Sequence, residues 1–293
     1  CCTNSKAESE HMIKKSAISL ISYDANRFLA DSIKRYYDYV DEIVLGIDKD
    51  RITWSGNPFN IDEDSLWKEL SVIDGDSKIT IVEEDFHQSK VAIENDNFER
   101  NFLKQEAKHD WIVSIDADEM LVNAKDFFYN YLPIVERYRT KKDICLVWTT
   151  PYKILTSDDN TEIALIIANE DGSPFFGENQ GFMTSKDSTF TYARWTDKSA
   201  AGDNRLMSPL VALHWSLCRP SKELEQKIKN IGHSDLVDKD PFYQLWSQVD
   251  LNNYKEMRNF KTSGLGQAQW PKLEAIPLTE LENYVNNYVN KAY

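Results

Sequence analysis

Apolar and polar positions follow two rhythms along the first half of the chain. AISLIS, from Ala17, is a nearly unbroken apolar run that predicts a buried strand. ANRFLADSIKRYYDY repeats its apolar positions at helical spacing, with Phe28, Leu29, Ile33 and Tyr36 or Tyr37 on one face, and EIVLGID returns to the strand pattern. A charged, Trp-containing stretch, KDRITWSGNPFNIDEDSLWKEL, leads to a short strand KITIVEED, a helix NDNFERNFLKQEAKH and the strongest strand signal, WIVSIDADEM. Strand and helix keep alternating, which predicts βαβ units and an α/β fold with a mostly parallel sheet flanked by helices.

After Met120 the pattern predicts a helix in DFFYNYLPIVERY and a strand in DICLVWTTPY, and then the alternation breaks. Residues 156–205 are rich in Asp, Asn, Gly, Ser and Thr and read as a loop-rich insertion with one strand-like stretch, FTYAR. LVALHWSL reads as a late strand, and Ser221 caps a helix KELEQKIKNI that ends at Gly232. From Pro241 the expectation is helical, in FYQLWSQVDLNNYKEMRNF and LTELENYVNNYVNKAY, joined by a linker TSGLGQAQWPKLEAIP. The expected division is therefore a polar leader or tag remnant at 1–11, a catalytic domain at 12–235 and a C-terminal helical extension at 236–293.

Composition narrows the partners. A chain of 293 residues with 41% hydrophobic content supports a full core. A net charge of −14 opposes binding to a phosphate backbone, so nucleic acid is a demoted partner. No apolar stretch reaches bilayer length and no secretion signal is evident, which predicts a soluble, cytoplasmic protein. Cys145 and Cys218 lie in apolar contexts and read as reduced core thiols, in keeping with that address. Oligomeric state has no signal in the sequence.

In an open parallel sheet, ligands collect beyond the carboxyl ends of the strands. Three strands end there in polar residues: Ser22-Tyr23-Asp24-Ala25-Asn26, Asp48, and Asp116-Ala117-Asp118-Glu119. Acidic side chains gathered on one edge repel unless a cation or another positive group compensates, and hard oxygen ligands suit Mg²⁺ or Mn²⁺. Such an ion bridges readily to a diphosphate. The plainer alternative for the Asp116 block is an acidic turn ahead of a helix. The buried run in front of it favours carboxylates that emerge at a fixed, solvent-facing strand end.

The blocks SYDANRFLADSIKRYYDYVDEIVLGID and FERNFLKQEAKHDWIVSIDADE, in this order and spacing, resemble family 2 glycosyltransferases of the GT-A (Rossmann-like) fold over about residues 16–122. The resemblance implies a nucleotide-diphosphate sugar donor, expected to be a UDP-sugar, and a glycan or other hydroxyl acceptor. It places Tyr23 and Asp24 in the nucleoside pocket, Asp48 at the base or ribose, and Arg100 on the helix before the metal motif. Asp116 and Asp118 match the residues that meet ribose and metal, and His214 resembles a further metal ligand. Arg219, Lys227 and His233 would reach the diphosphate on this view, whereas by themselves they read as solvated charges. Arg194-Trp195 is faintly similar to a motif of processive members whose remainder is missing.

An inverting transfer needs a carboxylate to deprotonate the acceptor, with cations stabilising the leaving group. The family's Glu-Asp base motif is absent, and Asp203 is the preferred base, with Asp197 in reserve; a retaining route without such a base stays open. Three rivals stand beside this reading. A haloacid-dehalogenase-like phosphatase would use Asp116 as nucleophile, but that motif belongs on a first strand. A non-enzymatic carbohydrate-binding module would use the eight Trp and fourteen Tyr for stacking, but leaves the acid-tipped strands unexplained. A glycosyltransferase acting on modified DNA bases is disfavoured by the acidic charge.

Overall fold

The computed structural model describes residues 13–137, 142–177, 179–199, 204–230, 239–257 and 272–292. Every position of β1 (Lys15–Ile21) and β2 (Glu42–Asp48) is buried, as strands covered on both faces require. Between them α1 (Ala25–Lys34) turns Phe28, Leu29 and Ile33 inward, the face its periodicity predicts. α2 (Glu63–Ile73), β3 (Ile79–Glu84), α3 (Ala92–Glu106) and β4 (Trp111–Ser114) continue the alternation. β1 lies between β2 and β4, and β2 pairs with β3, all parallel.

Past β4 the chain turns through Asp116–Asp118 into β5 (Glu119–Leu121). A helical stretch follows, made of α4 (Ala124–Asp126), a π-helical turn (Phe127–Tyr131) and α5 (Leu132–Arg137). β6 (Asp143–Thr149), β7 (Pro151–Thr156), β8 (Glu162–Ala168), β9 (Asn179–Ser185), β10 (Phe190–Tyr192), β11 (Trp195–Thr196) and β12 (Arg205–His214) come next. The main sheet has eight strands in the order β3-β2-β1-β4-β9-β6-β12-β5. β9 runs antiparallel to β4 and β6, and β5 antiparallel to β12, while β6 and β12 are parallel. The mostly parallel, Rossmann-like α/β sheet expected from the alternation is thus present.

Two stretches differ from expectation. The insertion at 156–205 contains β8, β9, β10 and β11, and β9 lies at the centre of the main sheet. Its sequence, NQGFMTS, has too few apolar residues to show a strand pattern, yet Gly181 through Thr184 are buried. Gly181 is required there, because a Cβ would come within 2.2 Å of the Arg194 carbonyl oxygen. The expected linker ends in β13 (Lys272–Pro277), which pairs antiparallel with β8 in a three-stranded sheet with β7. The short-range signal of Pro271 and Pro277 is overridden by this long-range pairing, with Pro277 at the strand's last position.

The helix expected at KELEQKIKNI is α6 (Ser221–Asn230). Of the C-terminal helices, the first, α7 (Lys239–Gln248), stops at Gln248 instead of running on through the Asn252-Asn253 stretch, a 3₁₀ turn follows at Tyr254–Glu256, and the second is α8 (Leu281–Ala292). α8 buries Leu281, Val285 and Val289, spaced four apart, in one cluster with Phe28, Met120, Val211 and Leu213. The leader at 1–11 and the expected boundary at 235 lie outside the described residues, as does His233. Cys145 and Cys218 are buried free thiols. Among the described residues no helix is long and apolar enough to cross a membrane.

Candidate functional site

β1, β2 and β4 all deliver their C-terminal residues to one edge, where a cavity of about 470 Å³ opens. It is lined by Tyr23, Asp24, Asp48, Arg100, Asp116, Asp118, His214 and Lys227. Sequence separations of up to two hundred residues are therefore closed by the fold in the way the parallel sheet predicts. Asp203 lies outside the described residues. Asp197 is described and does not line the cavity: its Oδ1 accepts from the backbone N–H of Thr189 (2.8 Å) and of Lys198 (3.0 Å).

The clustered carboxylates are compensated by arginine and lysine. Arg100, 2% exposed, donates to Asp96 through Nε (2.6 Å), to Ser114 Oγ through Nη1 (3.0 Å) and to Asp116 Oδ1 through Nη2 (2.8 Å). Burial opposes its charge, but Asp116 and Asp96 outweigh burial and raise its pKa. The Asp116 side chain is 32% exposed, so it is held from behind and open to the cavity.

Asp118 is only 2% exposed, in place of the solvent-facing carboxylate expected from its strand-end position. Arg219, from the segment after β12, donates to Asp24 Oδ2 at 2.7 Å and through Nη2 to Asp118 Oδ2. Lys227 Nζ, on α6, reaches the same Asp118 oxygen at 2.9 Å. Read alone, Arg219 and Lys227 resembled solvated charges; folded, Arg219 is buried beneath Phe28 and Lys227 points into the cavity, because α6 packs across the strand ends. Burial pushes the Asp118 carboxyl up, yet Lys227, His214 and Arg219 together hold it well below the usual range. The same Asp118 raises the Lys227 pKa against the effect of burial.

His214 ends β12 with Nε2 3.7 Å from Asp118 Oδ1, its ring stacked on Trp148 at 4.1 Å. Burial lowers its pKa to about 4, with Asp118 pulling the other way, so the imidazole is neutral at pH 7. The two Asp118 oxygens are thus divided: Oδ2 takes the protein cations and Oδ1 faces His214. Among the described residues no set of three acidic, His or Cys side chains is placed to hold a metal. Asp118 Oδ1 and His214 Nε2 suit a divalent ion that takes its other ligands from phosphate and water.

Asp48, expected to contact base or ribose, has both oxygens engaged by backbone amides: Oδ1 accepts from Asp50 (3.0 Å) and Ile52 (2.9 Å), and Oδ2 from Phe86 (2.9 Å). It fixes the loop beyond β2, which lines the cavity, and ties it to the start of the loop beyond β3. Tyr23 lines the cavity with its hydroxyl pKa raised by burial.

Several residues of the site carried no sequence signal of their own. Trp54, Asp96, Glu99 and Trp148 all line the cavity, and Arg194, noted in the sequence only for a faint likeness to a processive motif, lines it with them. Arg194 follows Ala193, whose φ of 49° is a strained turn for a non-glycine residue, and it grips buried Glu119. The block FERN contains Glu99 beside Arg100, and the resemblance points there to the Arg alone.

No family model matches the chain, and no curated protein matches it. Solved structures align with it only at low scores. CMP:2-keto-3-deoxy-manno-octonic acid synthetase complexed with CTP aligns over 76% of this chain and 100% of its own, with TM-score 0.38 and 10% identity. Residues 1–349 of S. aureus TarS align over 59% of this chain and 47% of theirs, with TM-score 0.33 and 10% identity. UDP-glucose pyrophosphorylase complexed with UDP-glucose aligns over 60% and 77%, with TM-score 0.31 and 10% identity. The chain spans about half the length of the TarS fragment. Likeness at this level carries nothing about activity, which rests on the site itself.

Proposed function

We propose that this chain is a glycosyltransferase that binds a nucleotide-diphosphate sugar in the cavity at the strand ends and passes the sugar to a hydroxyl acceptor. The observation that carries this reading is the arrangement around Asp118: one buried carboxylate holding Arg219 and Lys227 on one oxygen and facing His214 with the other. Lys227 presents cationic donors to a cavity large enough for a nucleotide, and the open carboxylate of Asp116 suits ribose hydroxyls. The resemblance of the first half of the sequence to family 2 glycosyltransferases belongs to the same proposal.

In this reading Lys227, backed by Arg219, stabilises the charge that builds on the diphosphate as the sugar leaves. Asp118 keeps both cations placed and Arg100 keeps Asp116 turned to the cavity. Asp118 and His214 would hold Mn²⁺ or Mg²⁺, which adds positive charge against the leaving phosphates. On the acceptor side, Asp203 is the base in this reading.

The test is a thermal-shift and calorimetric panel of UDP-, GDP-, ADP- and CDP-sugars with and without Mn²⁺. The expected result is stabilisation by a UDP-sugar, strengthened by Mn²⁺, and its loss in Asp118→Asn. A chain that no nucleotide stabilises under any metal condition is not a nucleotide-sugar transferase.

A further inference from the structure

One buried acid of the cavity has no part in the chemistry above. Glu99 sits on α3, 5% exposed, one residue from Arg100. Its Oε2 accepts the Trp54 indole N–H at 2.7 Å. Among the described residues that is its one hydrogen bond, so Oε1 is left without a partner. Room for Oε1 comes from Gly46 on β2, where a Cβ would lie 2.8 Å from it. The groups around it are Asp96 and Arg100 on the same helix and Asp48 on β2. Arg100 is committed to Asp96 and Asp116, so it makes no ion pair with Glu99, and Asp48, held by backbone amides, adds only like-charge repulsion.

The place of Glu99 in the cavity matters as much as its bonding. The cations, Lys227 and Arg219, gather at Asp118. Ile52, Thr53, Trp54 and Phe59, by contrast, come from the loop beyond β2 and line the wall that Glu99 shares. That loop is tied down further: Asn95 Nδ2 donates to the Trp54 carbonyl (2.8 Å), and Thr53 Oγ1 and Asn57 Nδ2 both donate to Asn230 Oδ1 (2.8 and 2.9 Å). An aromatic and aliphatic wall with an oriented polar group is the chemistry a nucleobase needs, and the cations at Asp118 suit a diphosphate.

We infer that Glu99, oriented by Trp54, reads the nucleobase of the donor by presenting a hydrogen-bond donor to a ring carbonyl, the 4-carbonyl of uracil. The inference rests on the nucleotide-sugar reading. Because the indole N–H fixes Oε2 as acceptor, the carboxyl proton resides on Oε1. Burial, reinforced by Asp96, raises the Glu99 pKa to about 8, so the proton is retained at neutral pH. Cytosine carries an amino group at the 4-position, which presents a donor to a donor, and is rejected. Loss of the proton reverses the preference, since a carboxylate accepts from that amino group.

The experiment is calorimetric titration of the full chain with UDP and CDP, well below and well above pH about 8, on wild type, E99Q, E99A and W54F. Below that pH wild type binds UDP tighter than CDP by about tenfold, the worth of one such pairing, and the ratio falls as pH rises. In E99Q the indole orients the amide the same way, so the UDP preference persists at both pH values. E99A and W54F lose it. A UDP-to-CDP ratio in wild type that ignores pH, or that E99A leaves unchanged, overturns the assignment of Glu99 while leaving the donor site standing. Failure of wild type to bind either nucleotide overturns both.

Discussion

Arg194 closes on Glu119 with both ends of its guanidinium, Nη1 to Oε2 at 2.7 Å and Nη2 to Oε1 at 2.5 Å, with neither side chain more than 2% exposed. Glu119 Oε2 also accepts the backbone N–H of Asp116 at 3.1 Å, and its Oε1 accepts from the Trp148 indole. The pair therefore braces the turn that carries Asp116 and Asp118 from beneath. Glu119→Gln would leave a buried guanidinium without its counter-charge, at an expected cost of about 3–5 kcal/mol. Urea unfolding measures it, and the double variant Glu119→Gln, Arg194→Met should recover part of the loss. Equal destabilisation by either single change without any recovery in the double would show that the two act separately.

Lys227 differs from Arg219 in what it can give up. Its side chain keeps 19% exposure, whereas that of Arg219 is fully buried between Asp24 and Asp118. Lys227→Met should leave the fold intact, since Asp118 retains Arg219, and weaken binding of a nucleoside diphosphate by about 10- to 100-fold, the worth of a hydrogen bond from a charged group. Titration with UDP and with uridine separates the effects. Uridine binding should be unchanged, because the lost contact is to phosphate.

How much of this was legible in the sequence varies by residue. Asp116 and Asp118 stood out because a buried apolar run fixes where their carboxylates emerge, and Tyr23 and Asp24 because a parallel strand must end at the same edge. Asp48 was found as a position but not as a role, since backbone amides of residues 50, 52 and 86 bind it only once two loops have closed. Arg219 reads as an exposed charge until α6 and β12 bring it between Asp24 and Asp118. β9 was hidden for the same reason: its burial is imposed by β4 and β6 on either side, and its own residues are mostly small or polar. Alternation reports local structure, whereas these roles come from pairings between distant segments.

Glu99 also makes stability depend on pH in a direction opposite to most carboxylates. Its folded pKa, about 8, lies above the ordinary value of 4.5, so between those values the folded chain holds a proton that the unfolded chain has released. Its contribution is complete below the unfolded pKa and falls by about 1.4 kcal/mol per pH unit until the folded pKa is passed. Glu99→Gln removes this slope. Denaturant unfolding of both chains across the range should show the variant gaining on wild type as pH rises, and parallel curves would place the Glu99 pKa near its ordinary value.

Asp197 supplies the last test, because its placement speaks against the acid–base role its sequence position suggested. Oδ1 binds the backbone N–H groups of Thr189 and Lys198, and the Asp197 N–H returns a bond to the Thr189 carbonyl at 2.8 Å. The residue thus secures the hairpin of β10 and β11, whose turn holds Arg194. Asp197→Asn keeps the accepting oxygen, so both amide bonds survive while any capacity to take a proton is lost. A general base typically contributes 10²–10⁴-fold to rate, so the two roles separate cleanly in kcat. The expected outcome is turnover within about twofold of wild type, read as nucleoside diphosphate released from the donor in the presence of acceptor. A fall of about a hundredfold in kcat with donor KM unchanged would instead restore Asp197 as the base, and would require its carboxylate to leave the Thr189 and Lys198 amides and turn into the cavity during turnover.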